Sequence, residues 1–326
     1  MGFDITVIFP YYNEEQSLGR TLELISQQTH APKEVIFINS SSTDGSSALI
    51  DRWIEQHQRN NSTKYRNVFE HTNTPSSSKN VGIRLAQTEW IAFMDCGLLF
   101  PEDWLELQVR YIKESGLDIV SGVCDFKGIN VFDNCCLAQT YGYQRKRPVV
   151  PSTLLRKSIF EKTGMFLENR RSGYDYVWQI NLKDKGIVRG VNSDAVICYN
   201  GLSYADSFIS LFKKTVEYLK PAVAIQNYYM PYLYVAIAFF LCLSVFLSPM
   251  FTVGFFLVYI LVRWLAIPTI KSRGFSIFRD YPVAILYMLP VGMVMDFGRL
   301  IGIFQGIYFY HLSGNRKNEK EKLGNI

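Results

Sequence analysis

Short apolar runs alternate with helix-periodic segments through the first part of the chain. Each run is five to seven residues long and is bounded by polar or turn-forming residues. The segments between them place apolar residues on one helical face, as at Leu18, Leu22 and Ile25. Strands that alternate with helices are typical of a doubly wound, largely parallel sheet, so we predict an α/β fold. The predicted strands are 5–9, 34–38, 65–70, 90–94 and 118–124, and the predicted helices are 14–28, 46–58, 80–87, 101–115, 158–163 and 175–185.

The predicted strand at residues 90–94 delivers one carboxylate, Asp95, at its C-terminal end. In open α/β sheets, ligands bind in the crevice beyond the carboxyl ends of the strands. Cys96 and Gly97 follow, and both are small enough for a ligand to approach the backbone closely. We therefore expect the functional site at this edge of the sheet. From 126 to 151 the pattern predicts only a loop-rich connection.

Residues 1–220 mix charged and apolar side chains as a soluble domain does, whereas residues 228–310 are strongly apolar with very few charges. Residues 204–220 place lysines opposite an apolar face, which predicts a helix in the membrane interface, although an ordinary surface helix has the same periodicity. Two apolar runs follow at 229–247 and 251–268, each close to the length that spans hydrocarbon. We therefore predict an integral membrane protein.

A third apolar stretch, residues 282–310, contains Pro290, Asp296 and Arg299. Its length fits either one tilted span or a shorter hairpin. A charge in lipid is costly unless it is paired, so the i,i+3 spacing predicts that Asp296 and Arg299 form a pair. A basic tail at 311–326, if cytoplasmic, favours the hairpin.

Charge and composition narrow the function further. Lys271, Arg273 and Arg279 precede the third stretch, and the positive-inside rule then places both this loop and the N-terminal domain in the cytoplasm. The net charge is a mild +5, and positive residues near the apolar segments suggest contact with lipid headgroups. The sequence shows no basic, aromatic-interleaved patch of the kind that binds nucleic acid. The six cysteines lack zinc or CxxC spacing, and the early apolar run is too interrupted for a signal peptide.

Five short motifs lie where the pattern places strand ends and helix starts. They are FPYYNEE at 9–15, NSSSTDGS at 39–46, SKNVGI at 78–83, FMDCG at 93–97 and SGYDYVWQ at 172–179. In this order and spacing they resemble family 2 glycosyltransferases with a GT-A-type fold. The resemblance implies a nucleotide-sugar-binding, doubly wound mixed sheet in residues 1–203, followed by an interfacial helix and linker at 204–227. An α-helical membrane anchor at 228–310 and a polar tail at 311–326 complete the predicted organisation.

The resemblance implies transfer of a sugar, with inversion, from a nucleotide diphosphate donor. It places Pro10, Tyr12 and Glu14 beside the nucleoside, and Asn39 and Ser41 in the base and ribose pocket. Simple turn packing is the alternative for Pro10 and Tyr12. The family commonly has one or two acids where Asn39 and the following serine stand, which leaves the nucleotide open.

The resemblance also assigns residues to the diphosphate. Lys79 would face it as the compensating cation, with a solvated lysine before a helix as the alternative. Asp95 matches the first acid of the Asp-X-Asp metal motif, which predicts a bound Mg²⁺ or Mn²⁺. Gly97 stands at the second acid's position, so diphosphate oxygens and waters would have to supply the remaining ligands, and weak or absent metal dependence is the alternative.

Asp175 matches the family's general base, with Tyr174 where a glutamate is common. A base is needed for a hydroxyl acceptor, whose proton leaves as the bond forms, and not for an ionised phosphate. Asp175 therefore predicts a hydroxyl acceptor, and helix capping is its alternative role. Trp178 would stack on an acceptor sugar or pack in the core.

Together these residues predict a membrane-anchored, inverting glycosyltransferase acting on a lipid or lipid-linked glycan. One rival is a polyprenyl-phosphate glycosyltransferase, in which Asp175 is dispensable. The other is a catalytically inactive scaffold that binds nucleotide-sugar, which the missing acids at Asn39 and Gly97 favour. Two or three spans are too few to form a transport pathway.

Overall fold

The computed structural model describes residues 3–58, 62–224 and 230–309. The chain divides into two compact units, which we call the sheet unit and the helical unit. The sheet unit comprises Met1–Asp125 and Lys146–Tyr199, and the helical unit comprises Phe126–Arg145 and Asn200–Ile326. The helical unit is therefore built from two separate parts of the chain.

Seven strands in the described part of the chain form one mixed sheet, in the order β3-β2-β1-β4-β6-β5-β7. The first four pair in parallel, and β6 runs antiparallel to both β4 and β5. This is the mixed, doubly wound sheet that the resemblance implies. The strands are β1 (Ile5–Tyr11), β2 (Glu34–Asn39), β3 (Lys64–Phe69), β4 (Trp90–Phe93), β5 (Ile119–Gly128), β6 (Arg147–Arg156) and β7 (Gly190–Leu202).

Helices connect the parallel strands and make up most of the helical unit. The sheet unit contains α1 (Glu15–Ser26), α2 (Ser46–His57), α3 (Pro75–Leu85), α4 (Trp104–Ser115), α6 (Ile159–Thr163) and α7 (Tyr174–Asp184). The helical unit contains α5 (Val131–Gln139), α8 (Phe208–Leu219), α9 (Met230–Leu247), α10 (Pro249–Leu261), α11 (Ile267–Lys271), α12 (Ser276–Asp280) and α13 (Ala284–Ile307).

The central strands are buried along their whole length, as parallel strands covered on both faces are. Ile8, Ile36 and Phe93 from three neighbouring strands join one hydrophobic core. Gly82 of α3 lets that helix lie close to β1, since a Cβ there would come within 2.3 Å of Ile8 Cγ2. The core therefore holds α3 tightly against the sheet.

Several elements differ from the sequence prediction, and one of them, β7, has no predicted counterpart. Helix α3 begins at Pro75, five residues before the predicted start at 80, because proline fits the first helical turn. Strand β6 lies partly in the predicted loop-rich connection, where two prolines and several polar residues obscure its pattern. Helix α5, Val131–Gln139, lies in the middle of that connection and belongs to the helical unit.

Close backbone packing joins α8 and α13 in the helical unit. Leu211 and Val216 of α8 are buried. Facing them, α13 carries glycines at four-residue intervals, and a Cβ on Gly302 would lie 2.5 Å from the Val216 carbonyl oxygen. This small-residue spacing is the one that lets two helices approach closely, as in membrane helix pairs. At these glycine positions, α13 thus has no room for a larger side chain.

Two helices in the described part of the chain are long and apolar enough to cross a membrane, Pro249–Lys271 and Ala284–Ile307. The first joins α10 and α11 through a π-helical segment, Val262–Ala266. A shorter apolar helix, Tyr232–Phe246, lies within α9. All three coincide with the apolar stretches that we predict to span the membrane.

The third stretch is a single helix, α13, so the hairpin alternative is wrong. Asp296 and Arg299 form the predicted pair at 2.9 Å. Arg263, from the π-helical segment, adds a second, short ion pair to Asp296 that the sequence does not predict. Spacing along one helix reveals only the local pair, whereas Arg263 reaches Asp296 through tertiary packing. The basic tail lies outside the described residues.

Candidate functional site

The carboxyl ends of β1, β2 and β4 lie side by side at one edge of the sheet. Tyr11 pairs with Asn39 at the ends of β1 and β2, and Met94 N–H donates to the Ile8 carbonyl at 3.1 Å beyond β4. Asp95 follows Met94 directly, so it is placed at the same edge. The parallel pairing thus brings three predicted motifs together, as the sequence analysis expects.

Hydrogen bonds link the loop after β1, residues 12–14, to the loop after β2, residues 40–45. Asn13 has a positive φ of 52°, and its Oδ1 accepts from Thr43 N–H at 2.8 Å. In return, Asn13 N–H donates to Ser42 Oγ at 3.1 Å, and Glu14 N–H donates to Ser46 Oγ at 2.8 Å. The two loops therefore form one preorganised surface.

The residues predicted to face the nucleoside differ in exposure. Pro10 is buried within β1, which favours its packing alternative. Tyr12 is 37 % exposed, and the Arg171 guanidinium lies 5.9 Å from its ring centroid. Glu14 accepts a short hydrogen bond from the Ser17 hydroxyl. Tyr12 is thus the residue of this loop that presents an aromatic face to solvent.

Asn39 and Ser41 hold the second loop in shape. Asn39 is 4 % exposed, and its Oδ1 accepts from Ser42 N–H at 2.7 Å. Ser41 adopts a positive φ of 63°, and its hydroxyl donates to the Glu70 carbonyl at 2.8 Å. The Glu70 carboxylate is itself buried and accepts from Ser78 Oγ at 3.3 Å. Sequence reasoning missed Glu70, because it follows a weak strand and belongs to no motif.

Lys79 and Asp95 form the central ion pair of the site. Lys79 Nζ donates to Asp95 Oδ1 at 2.6 Å, and the two side chains are 0 % and 29 % exposed. The alternative of a solvated lysine is therefore wrong. It fails because α3 begins at Pro75, which places Lys79 inside a helix that packs on the sheet.

Tyr174, the first residue of α7, completes this cluster. Burial alone would lower the pKa of Lys79, but the facing Asp95 carboxylate and Tyr174 hydroxyl outweigh it and raise that pKa. Burial also raises the pKa of Tyr174 to about 12. At neutral pH Lys79 is therefore an ammonium and Tyr174 a neutral phenol. The sequence signal for Tyr174 was its place beside Asp175 in the SGYDYVWQ motif.

Asp175 lies in the first turn of α7, and its carboxylate is close enough to raise the pKa of Tyr174 further. The residue that caps this helix is Gly173, with a φ of 78°, so the capping alternative for Asp175 is wrong. An acid in the first turn is stabilised by the helix dipole and stays partly exposed here. Its position thus allows contact with a ligand bound near Tyr174.

Trp178, one turn further along α7, lies in the hydrophobic core and is 1 % exposed. Phe160 stacks on its ring at a centroid distance of 5.4 Å, and Nε1 donates to Thr163 Oγ1 at 3.1 Å. With its ring face and its polar atom both occupied, Trp178 does not present a surface to a sugar. The predicted stacking on an acceptor is contradicted, and the packing role is the correct one.

The residues at the β4 end do not fit a dedicated divalent-cation site. Mg²⁺ and Mn²⁺ prefer several oxygen ligands in near-octahedral geometry. Asp95 is the one carboxylate of the DCG motif, and its Oδ1 already accepts from Lys79. Burial raises the pKa of the Cys96 thiol to about 12, which keeps this soft ligand neutral. Across the described ranges, three metal-ligating side chains do not come together anywhere.

The Lys79 ammonium lies near the carboxyl edge of the doubly wound sheet, with the Asp175 carboxylate in the first turn of α7. Residues 6–165 match the family model described as glycosyl transferase family 2. The chain therefore carries a family 2 glycosyltransferase domain with a GT-A-like fold.

Named relatives are glycosyltransferases too. Glycosyltransferase AglE of Haloferax volcanii is 25% identical over 224 residues, which cover 64% of this chain and 71% of AglE. An uncharacterized glycosyltransferase of Rickettsia bellii is 28% identical over 213 residues, covering 58% of this chain but 28% of the relative. The shared region is thus a minor part of that longer protein.

A solved structure extends the likeness beyond the sheet unit. The mannosyltransferase PcManGT from Pyrobaculum calidifontis, in complex with GDP-Man and Mn²⁺, has a TM-score of 0.60 and 16% identity. The match covers 95% of this chain and 88% of PcManGT. At this level of identity, the likeness establishes a shared fold.

Proposed function

We propose that this protein is a membrane-anchored, inverting glycosyltransferase. It transfers a sugar from a nucleotide diphosphate donor to a hydroxyl of a lipid or lipid-linked glycan. The observation that carries the proposal is the Lys79–Asp95 pair at the strand ends, beside Asp175 on α7. One cluster thus offers a cation for a leaving group and a carboxylate for an acceptor.

The donor lies across the carboxyl edge of the sheet in this proposal. Its nucleoside rests on the joined loops, with Tyr12 against an apolar face and Asn39 and Ser41 beneath. Its diphosphate faces Lys79, which compensates the negative charge that grows as the sugar leaves. The donor seen with PcManGT, GDP-Man, is a nucleotide-sugar of this chemical class.

The acceptor hydroxyl attacks the anomeric carbon from the side opposite the diphosphate. The new carbon–oxygen bond forms as the bond to the diphosphate breaks, and the bonding electrons leave with the nucleoside diphosphate. Asp175 accepts the hydroxyl proton, and this general-base assistance contributes about 10²–10⁴ in rate. The configuration at the anomeric carbon is inverted.

The helical unit is the anchor in this proposal. Its two long apolar helices and the shorter one within α9 would span or enter the bilayer. The amphipathic helix α8, with Lys213 exposed on its polar side, would lie at the headgroups. The basic loop around Lys271, Arg273 and Arg279 supports a cytoplasmic sheet unit in the cell or inner membrane.

The test is transfer from a panel of nucleotide-sugars by the detergent-purified full chain. Asp175→Asn should reduce kcat by about 10²–10⁴ while nucleoside diphosphate binding is unchanged. Asp184→Asn is the matched control, because it removes an exposed carboxylate from the far end of the same helix. This control should retain wild-type turnover.

Other outcomes assign the rival functions. Unchanged turnover in Asp175→Asn would mean that the acceptor is already ionised, as a polyprenyl phosphate is. Binding of a nucleotide-sugar without turnover of any donor would instead identify the catalytically inactive scaffold. Loss of binding in Asp175→Asn would contradict its role as a base, because a base acts on the acceptor.

A further inference from the structure

We propose that the Lys79 ammonium takes the role of a divalent cation, so that this protein binds and cleaves its donor without a metal ion. The inference rests on the proposed function and concerns the same site. It departs from the Asp-X-Asp resemblance, which implies Mg²⁺ or Mn²⁺ on Asp95. Three observations about this chain's own residues carry it.

The first is the position of Lys79. Its side chain is 0 % exposed, and its Nζ lies 2.6 Å from Asp95 Oδ1. Because α3 packs closely on β1 at Gly82, the helix that carries this ammonium is held in place against the sheet. A divalent cation on the Asp95 carboxylate would therefore lie within a few ångströms of a fixed positive charge, and the two would repel each other.

The second is the conformation of Gly97. Its φ of +77° lies in the left-handed region that favours glycine, and a Cβ there would contact the Tyr199 ring at 3.5 Å. The loop after β4 is therefore shaped around a glycine at the place of the second acid. Without that acid, the loop after β4 offers a metal ion only the Asp95 carboxylate, which Lys79 already engages.

The third observation is the positive charge that the site presents to a diphosphate. Tyr174 is a neutral hydroxyl where the family often has a glutamate, so this position adds no acid that would draw a divalent cation. The Arg171 guanidinium lies beside Tyr12 at the same edge and adds a second cation. Two fixed cations suit a diphosphate leaving group, which departs with the electrons of the broken glycosidic bond.

The experiment uses the full chain purified in detergent and freed of metal with EDTA. Turnover of the active donor should be equal within about twofold in EDTA and in Mn²⁺ or Mg²⁺. Calorimetry should give the same nucleoside diphosphate affinity in both conditions. Electron paramagnetic resonance should show that added Mn²⁺ stays free, which is a readout independent of activity.

Variants test the ammonium itself. Lys79→Met should weaken nucleoside diphosphate binding by at least about tenfold and nucleoside binding by less than about twofold. Lys79→Arg, which keeps the charge, should recover part of the loss. Lys64→Met is the control, because Lys64 is exposed at the opposite end of β3. Circular dichroism of each variant separates lost binding from lost folding.

Each result separates the inference from the proposed function. Turnover that EDTA abolishes and Mn²⁺ restores overturns the inference and leaves the glycosyltransferase in place. Unchanged diphosphate affinity in folded Lys79→Met also overturns it. If no donor turns over in any condition, the proposed function fails. Metal-free diphosphate binding that depends on Lys79 would then still support the inference, and no binding at all would overturn both.

Discussion

The ion pair between Lys79 and Asp95 gives an asymmetric prediction about stability. Lys79 is 0 % exposed, whereas Asp95 is 29 % exposed. Lys79→Met therefore leaves a carboxylate that water can reach, but Asp95→Asn leaves an ammonium sealed in the interior. Breaking a buried pair so that one charge remains uncompensated costs about 3–5 kcal/mol. Asp95→Asn should thus be the more destabilising change.

The burial of the two partners sets the size of the difference. We expect Asp95→Asn to lower the free energy of unfolding by about 3 kcal/mol, since the amide oxygen still accepts one hydrogen bond. Lys79→Met should lower it by about 1 kcal/mol, the net worth of one hydrogen bond. At about 2–4 °C per kcal/mol, Tm falls by about 6–12 °C in the first variant and about 2–4 °C in the second.

The pH dependence of the stability gives a second, independent prediction about this ion pair. Burial opposes the charge on Lys79, but Asp95 and Tyr174 raise its pKa above the ordinary 10.5. The stability that this raised pKa contributes is fully present below the unfolded pKa and is lost only as pH rises through the folded pKa. Between about pH 7 and pH 10 the wild-type contribution is therefore constant.

In Asp95→Asn, burial acts without the carboxylate and should bring the pKa of Lys79 below its unfolded value. The unfolded state then binds more protons, so the variant gains stability as pH rises. The Tm difference from wild type should narrow from about pH 7 to about pH 10. Thermal unfolding of the metal-free full chain in detergent measures it, with Asp184→Asn as control. Equal losses of Tm in Asp95→Asn and Lys79→Met would refute the reasoning. A Tm difference between Asp95→Asn and wild type that does not change with pH would refute it as well.

Three further predictions concern packing, binding and the membrane. Gly302→Ala should be less stable than Gly254→Ala by about 1–3 kcal/mol in thermal unfolding, because a Cβ at 302 meets the α8 backbone and one at 254 meets nothing within 4 Å; equal Tm shifts would contradict the α8–α13 packing. Trp178→Phe should lower Tm without changing donor affinity, whereas Tyr12→Ala should weaken donor binding by about 1 kcal/mol at unchanged Tm. Calorimetry measures the donor affinity and thermal unfolding measures Tm; a loss of donor affinity in Trp178→Phe, or a lower Tm in Tyr12→Ala, would contradict these roles. Alkaline carbonate should leave the full chain in the membrane pellet, and its release would contradict the anchor.

The sequence predicts the parallel strands well because each is a complete apolar run. The runs that became β1, β2 and β4 are buried on both faces, so their residues carry the pattern without interruption. The position of Asp95 follows directly, since it comes after the end of such a run. Strands β6 and β7 escaped prediction because each mixes apolar residues with polar ones or proline.

The side chains at the site were harder to predict than the strands. The family resemblance implies that Lys79 faces the diphosphate, but its complete burial depends on where α3 begins. Trp178 sits one turn after Asp175, and helical spacing alone does not say which of them faces the core. Tertiary packing decides both cases, and it places Phe160 on the ring of Trp178.

Helix α5 has a consequence for how the protein is made. Gln139 Nε2 donates to the carbonyl oxygens of Arg263 and Met288, which lie 124 and 149 positions later in the chain. On the ribosome, α5 therefore emerges long before its partners, with Cys135 and Cys136 still uncovered. Its docking has to follow the synthesis of α13. A chain truncated after residue 199 would therefore leave α5 without the partners that it contacts in the helical unit.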